Sequence, residues 1–314
     1  MILGTASTLT PVDYHLPSKQ WRAAFRWDWN EQWEQNMHRD YAKQFGYKGG
    51  LVEGDVVFEH IIDILIQFFG EPWYGEGEIE VKVLPIYEGE LLTTGAVVKE
   101  RTEEERGVRL GLEVWMAKED GKPGVIGKAS CLVPRPSAPA HKVPSVKLSH
   151  DGIWTRKEPK YGPGRLPEEY TPITYDAAVV GEIMGPIDFT ISEASHKKHT
   201  AFQGIYHRWF TEESPWGGPL LYPFETWCQA RVHSRWKYGR INEALYAFAK
   251  WKFYKPIELG QPLSGWMRVV DKYMKRGKPY ILTDSWTEDA EGNVIMHARE
   301  ELVLMHEIKG MKIR

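Results

Sequence analysis

The first question is which side chains of this 314-residue chain could do chemistry, and at what spacing. His196 and His199 stand three apart in a stretch expected to be helical, a geometry that can chelate a metal ion. No cysteine or carboxylate follows at zinc spacing, so no metal site is expected. Cys131 and Cys228 have no CxxC spacing and no ligand cluster, which argues against a disulfide framework. Gly49-Gly50 and Gly217-Gly218 lack the Lys-Ser/Thr of a phosphate loop and suit tight turns instead. No Gly-x-Ser-x-Gly elbow is present, which excludes α/β-hydrolase chemistry. The basic cluster Lys272, Lys275, Arg276 and Lys278 reads as a solvated turn, with pairing to a coenzyme A phosphate as its functional alternative. Arg101–Arg106 likewise reads as a solvated hairpin turn.

The elements that would position such groups come in two similar sets. Pro85-Ile86-Tyr87-Glu88-Gly89 matches Pro256-Ile257-Glu258-Leu259-Gly260, and Asp120-Gly121 matches Glu291-Gly292 at the same distance downstream. Gly49-Gly50 pairs with Gly217-Gly218 further upstream. A duplicated domain is the economical explanation. In the first half, residues 55–69 are apolar almost all round, the pattern of a buried helix. Gly70 and Pro72 supply its stop. Strand-like runs follow at about 77–86, 90–101, 107–118 and 124–134, with a hairpin turn at 119–122. The second half repeats this with a helix at about 222–238 and strands at about 244–255, 262–274, 279–288 and 293–305. Between them, residues 134–172 hold eight of the twenty prolines, which predicts an extended linker. The expected domains are therefore 1–133, a linker 134–172, and 173–314.

Composition sets the outer bounds. A net charge of -3 gives no general attraction to phosphate backbones, so nucleic acid is not an expected partner. The stretch 55–69 is too short and too charged to span a bilayer, and the N-terminal residues lack a signal-peptide pattern. A cytoplasmic protein without a membrane partner is expected. The aromatics, including 14 Trp, can build broad apolar walls. Trp27, Trp29, Trp33, Trp209, Trp216 and Trp227 fall in segments that could wall a pocket, which favours a bulky or aromatic ligand.

A helix followed by antiparallel strands, with a Pro-x-x-x-Gly opening and an Asp-Gly hairpin, resembles the hotdog fold. Two in tandem resemble the double hotdog of MaoC-like enoyl-CoA hydratases and 3-hydroxyacyl-CoA dehydratases. The first half carries Asn36-Met37-His38-Arg39-Asp40-Tyr41-Ala42, Phe45-Gly46-Tyr47 and Leu51-Val52-Glu53-Gly54. These are similar to the family's Asn-Pro-x-His-x-Asp segment, its Gly-Tyr, and its His-Gly at the helix start. In the second half, 209–219 and 275–278 resemble the companion hotdog, which is usually non-catalytic. The resemblance implies an α+β fold of two hotdogs, each a long central helix wrapped by an antiparallel sheet.

The family's activity is reversible addition of water to a 2-enoyl-CoA thioester, with coenzyme A as part of the substrate and no separate cofactor. It uses an Asp-x4-His pair and a backbone N–H at the helix start. Residue by residue, the resemblance places His38 at the histidine and Gly54 at the helix-start glycine. The aspartate does not carry over: Trp33 stands five residues before His38. In the second half the same reading places Phe210 at the histidine and Ile205 at the aspartate. Three readings stay open. In one, Glu53 supplies the displaced carboxylate, with Asp28, Glu31 and Glu34 as weaker candidates. In another, the chain binds an acyl thioester without hydrating it. In the third, His38 is structural. A hotdog thioesterase would draw its carboxylate from Glu53 or Asp55. Gly54, Asp55, Trp33 and His207 are the candidate substrate-binding residues. A homodimer or a second hotdog subunit is the expected protein partner.

Overall fold

The computed structural model describes residues 4–24, 42–43, 45–52, 54–136, 145–147, 153–154, 173–205, 207–229 and 244–307. Helix α1, Gly54–Phe69, is the axis of the first half. Val57, Ile61, Leu65 and Ile66 on it are fully buried, and Gly70 closes it in the left-handed region at φ 68°. The Gly70 N–H donates to the Ile66 carbonyl at 2.8 Å, which satisfies one of the last-turn acceptors. A kinked helical turn, α2 (Trp73–Glu76), carries the chain into the sheet.

The strands of the first half are β1 (Lys19–Arg22), β2 (Glu78–Val83), β3 (Leu91–Glu104), β4 (Gly107–Lys118) and β5 (Pro123–Pro134). Those of the second are β6 (Ile153–Trp154), β7 (Glu182–Phe189), β8 (Ala244–Phe253), β9 (Leu263–Lys275), β10 (Lys278–Glu288) and β11 (Val294–Leu304). They form one eleven-stranded sheet in the order β1-β3-β4-β5-β2-β8-β11-β10-β9-β7-β6. Every pairing but β6 with β7 is antiparallel. The two halves meet edge to edge through β2 and β8, with Val81 opposite Ala249. This pairing removes the exposed edge that each half would otherwise present. The charged run after Arg101 is strand rather than turn: β3 continues to Glu104, opposite Gly107, and the turn is confined to two residues.

The halves repeat one another in backbone detail. The Val52 N–H donates to the Ile86 carbonyl at 2.8 Å, and the Leu221 N–H to the Ile257 carbonyl at 2.7 Å. Leu51 bridges Tyr87 as Leu220 bridges Glu258. Gly89 and Gly260 share φ 82°, and Gly121 and Gly292 lie at φ 77° and 74°. These matches set the register: Leu51 corresponds to Leu220, so Gly49-Gly50 corresponds to Gly218-Pro219. That is one residue away from the glycine-to-glycine match read in the sequence.

Three further helices belong to the second half: α3 (Glu193–Gln203), α4 (Arg208–Thr211) and α5 (Pro223–Gln229). The helix expected at 222–238 is described only to Gln229, and the rest lies outside the described residues. Most of 134–172 also lies outside them. Of its described parts, Arg135 donates to the Glu104 carbonyl at 2.7 Å, and the Val146 carbonyl accepts from the Val294 N–H at 2.8 Å. Among the described residues, no helix is long and apolar enough to cross a membrane.

Candidate functional site

Helices α1 and α5 touch through their first turns. Phe58 and Phe224 make an edge contact at 5.4 Å, and Phe224 stacks on Trp251 at 4.6 Å. Trp227 reaches Tyr246 at 5.4 Å. Tyr246, from the second half, lies against the start of α1: a Cβ on Gly54 would sit 3.2 Å from its ring. The glycine that opens α1 therefore lets an aromatic ring cover one side of the helix start. The first-turn N–H groups of such a helix have no intrahelical acceptors and carry partial positive charge.

Over this pair lies α3, capped at its N-terminus by Ser192, whose side chain accepts from the Ser195 N–H. Its inner face carries His196, His199, Thr200 and Gln203, all buried, at the spacing of one helical stripe. The His199 Nε2 lies 3.0 and 2.8 Å from the two oxygens of Glu59, which belongs to α1 in the other half. Neither side chain is more than 1% exposed. His196 is held at both ring nitrogens. Its Nδ1 lies 2.8 Å from the Glu225 carboxylate on α5, and its Nε2 donates to the Phe210 carbonyl at 2.6 Å. Burial disfavours its charged form, but the hydrogen bond and charge of Glu225, the Phe210 carbonyl and the more distant Glu59 outweigh it. Its pKa is raised as a result. The chelating geometry read in the sequence is thus spent on two separate carboxylates, and among the described residues no three ligating groups come together.

His207 sits at the N-cap of α4, where its Nδ1 accepts from the Trp209 N–H at 3.2 Å. That bond leaves the ring proton on Nε2. The ring is buried between Trp209, at 5.3 Å, and Phe210, at 5.5 Å. Burial lowers its pKa to about 4, so it is a neutral donor at neutral pH. Among the described residues its Nε2, both amide atoms of Gln203 and one oxygen of Glu225 have no hydrogen-bond partner. Buried polar atoms of this kind are normally satisfied, so these four are exceptions within the packed interior.

The register corrects the sequence reading of this segment. Leu220 corresponds to Leu51, and His207 stands thirteen residues before Leu220, as His38 stands thirteen before Leu51. By this count His207 falls at the place of His38, where the sequence reading had Phe210, and Phe202 falls five before it, where that reading had Ile205. Neither half has a carboxylate there, since Trp33 and Phe202 occupy the two positions. His38, Glu53 and Trp33 lie outside the described residues. Gly54 begins α1 and Asp55 follows in its first turn, where only its backbone is described. Glu59, Glu225, His196, His199 and Gln203 were not singled out as one polar cluster. The available signal was a set of charged residues inside an otherwise apolar helix.

The tryptophans divide. Trp27, Trp29 and Trp33 lie outside the described residues. Trp227 is core, with its Nε1 donating to Ser285 at 3.2 Å beside Tyr246. Trp209 and Trp216 line a cleft at the other end of α1. The basic cluster is largely structural: Lys272 donates to the Tyr175 and Ala178 carbonyls, each at 2.8 Å, and Arg276 makes the β9–β10 turn at φ 53°.

The two histidines impose opposite pH dependences. His207 is neutral in the fold, so between its unfolded pKa near 6.5 and about 4 the unfolded chain binds a proton that the folded chain refuses. Stability falls as pH falls through that window. His196 is protonated in the fold, so its contribution is present below 6.5 and is lost as pH rises through its elevated folded pKa. Urea unfolding across pH should show His207→Gln flattening the acid limb and His196→Gln flattening the alkaline limb. Unchanged limbs in either variant would move that titration to another residue.

Comparisons with known proteins bear on the architecture. No family model matches the chain, and no curated protein matches it. Among solved structures, the chain is similar to one described as a MaoC domain protein dehydratase from Chloroflexus aurantiacus. The identity is 13%, the TM-score is 0.66, and 96% of this chain and 98% of that one are covered. A Mycobacterium tuberculosis protein described as having a double hotdog fold matches at 13% identity and TM-score 0.61, over 96% and 98% of the two chains. A MaoC-like dehydratase matches at 12% identity and TM-score 0.53, over 86% and 91%. With the continuous β2–β8 sheet and the repeated helix-start turns, these likenesses identify the fold as the double hotdog, in the arrangement found in MaoC-like dehydratases.

Proposed function

We propose that the chain is a hydratase or dehydratase of an acyl-CoA thioester. Water adds across a 2-enoyl group, its oxygen joining C3 and a proton joining C2, or the reverse. The observation that carries this reading is the start of α1, opened by Gly54 against the Tyr246 ring, in a fold shared with dehydratases. The reaction needs a base for water, a proton donor for C2 and a donor to the thioester oxygen as it takes on enolate charge. In this reading His38 and Glu53 form the acid/base pair, and the Gly54 N–H at the start of α1 is the oxyanion donor. The loop 47–50 between them is short and turn-rich, which favours a return of His38 toward the helix start. Asp55 follows in the same turn, and Trp33 adds to the pocket wall. His207 supplies a neutral Nε2–H to a substrate oxygen in the second half. Tyr246, whose ring covers Gly54, favours a bulky or aromatic acyl group.

A second reading has a specific observation behind it. Trp33 and Phe202 stand where the family's catalytic carboxylates would be, which suits a hotdog that binds acyl thioesters without hydrating them. The two are separated by incubating the purified chain with 2-enoyl-CoA esters of linear, alicyclic and aromatic acyl groups. Binding is followed by calorimetry, and the 3-hydroxyacyl product by mass. Turnover, fastest with ring-bearing esters, is the expected result. Binding without turnover selects the second reading, and neither binding nor turnover removes both.

A further inference from the structure

Helix α3 is held to the fold by polar contacts. Four of its residues are buried, His196, His199, Thr200 and Gln203, and all four are polar. Phe202 beside them is only partly buried. The chain on either side is anchored differently. Ile191 and Ile205 are buried in apolar clusters. Between these anchors and the helix stand Ser192, in an extended conformation at ψ 154°, and Gly204, left-handed at φ 62°. A Cβ on Gly204 would meet no atom within 4 Å, so the backbone there has space around it. Hinges are a few element-terminal residues of this kind, which absorb the change in backbone dihedrals.

Two histidine–carboxylate pairs fasten the inner face, and each reaches a different helix: His199 to Glu59 on α1, and His196 to Glu225 on α5. Beneath them lies Tyr222. Its ring is 5.2 Å from His199 and 5.7 Å from His196, and it stacks on Phe210 at 4.0 Å. Lifting an apolar helix from a core gives hydrocarbon back to water. Lifting α3 exposes mainly polar groups, and water replaces the hydrogen bonds they lose. Both amide atoms of Gln203 are buried without partners among the described residues, so they gain hydrogen bonds on opening. Opening of this helix therefore costs a fraction of global unfolding.

We propose that α3 is a lid that swings as one piece about Ser192 and Gly204 and uncovers Tyr222, Glu59 and Glu225 where α1 and α5 meet, with the two histidine–carboxylate pairs as its catches. The proposal rests on no thioester chemistry. One catch depends on pH. The groups facing His196 are Glu225 on α5, the Phe210 carbonyl, the Tyr222 ring and, more distantly, Glu59 on α1; His199 follows one turn later on its own helix. Burial disfavours the His196 charge, but Glu225, the Phe210 carbonyl and Glu59 outweigh it, so the closed lid holds the proton more tightly than the open one. The catch is at full strength below the ordinary histidine pKa of 6.5 and is lost as pH rises through the elevated pKa of the closed state.

Hydrogen exchange of the full chain, read by mass on peptides from α3 and from α1 between pH 5.5 and 9, tests this. Rates divided by the chemical exchange rate at each pH give the opening constant of each helix. The amides of α3 should open together, about a hundredfold more often than those of α1. The α3 opening constant should be flat below pH 6.5 and rise above it, by up to about tenfold per pH unit, until His196 is neutral in the closed state. His196→Gln should remove that rise, and Glu225→Gln should raise α3 opening about tenfold at pH 6 while leaving α1 unchanged. Opening of α3 only together with α1, in the wild type or through equal acceleration of both helices in the variants, would overturn the lid. An α3 opening constant independent of pH in the wild type would overturn the assignment of His196 as a catch.

Discussion

Replacing Glu59 by Ala is expected to destabilise the fold by about 1–3 kcal/mol, the cost of removing the acceptor from a buried hydrogen-bonded pair. Glu59 and His199 are both within 1% of full burial, and both carboxylate oxygens lie within 3.0 Å of the same imidazole nitrogen. The pair joins α1 of one half to α3 of the other, so its loss also loosens the packing over the candidate site. Glu59→Gln keeps an acceptor of the same shape and should cost about 1 kcal/mol. The combined Glu59→Leu, His199→Leu variant removes both polar groups and should recover most of the loss, because well-packed apolar residues often replace such pairs without penalty. Urea unfolding midpoints of the three variants decide this. A loss below about 1 kcal/mol in Glu59→Ala would show that the pair does not hold the halves together.

The fold was legible where local chemistry enforces it. The hairpin glycines Gly121 and Gly292, and the turn glycines Gly89 and Gly260, need a left-handed backbone, so their equal spacing revealed the repeat. Helix α1 was legible because its stop at Gly70 is also a backbone requirement. Three strands were not, β6 being only two residues at one sheet edge. β1 is four residues at the sheet edge, and β7 carries Gly185-Pro186, a break in the ladder where the register shifts between Met184 and Ile187. The one-residue slip in the match between halves had a similar origin. Two glycines look equivalent in sequence, but the hydrogen bonds of Leu51 and Leu220 place Pro219 opposite Gly50. That slip is why His207 was not recognised as the counterpart of His38.

The candidate site was less legible because its contacts are long-range. Glu59 and His199 are 140 positions apart, and nothing local to either requires the other. His196 and His199 looked like a chelating pair because helical spacing shows which residues share a face, not what that face meets. The face meets carboxylates on two different helices, Glu225 on α5 and Glu59 on α1. The start of α1 was foreseeable from Gly54, yet the ring that covers it, Tyr246, comes from a strand almost two hundred residues downstream.

On the proposed hydratase reading, replacing His38 by Ala, or Glu53 by Gln, lowers the hydration rate by about 10²–10⁴, the contribution of a positioned acid/base group. A carboxylate beside an imidazole orients the ring and stabilises its protonated form. Two equally spaced histidines make the experiment discriminating, because His207 has the same place before α5 that His38 has before α1. Their chemistry differs. The Trp209 N–H occupies the Nδ1 of His207 and burial holds the ring neutral, so it can donate from Nε2 but is a poor base. Loss of that donor in His207→Gln should raise KM or lower the rate by less than tenfold, the scale of one neutral hydrogen bond. If instead His207→Gln abolishes turnover and His38→Ala does not, the reactive centre lies in the second half, and the carboxylate that serves it must come from across the seam. The Glu59 pair already stands there, on α1 of the first half. Turnover unchanged in all three variants would remove the acid/base assignment from all three residues and place the reactive groups elsewhere.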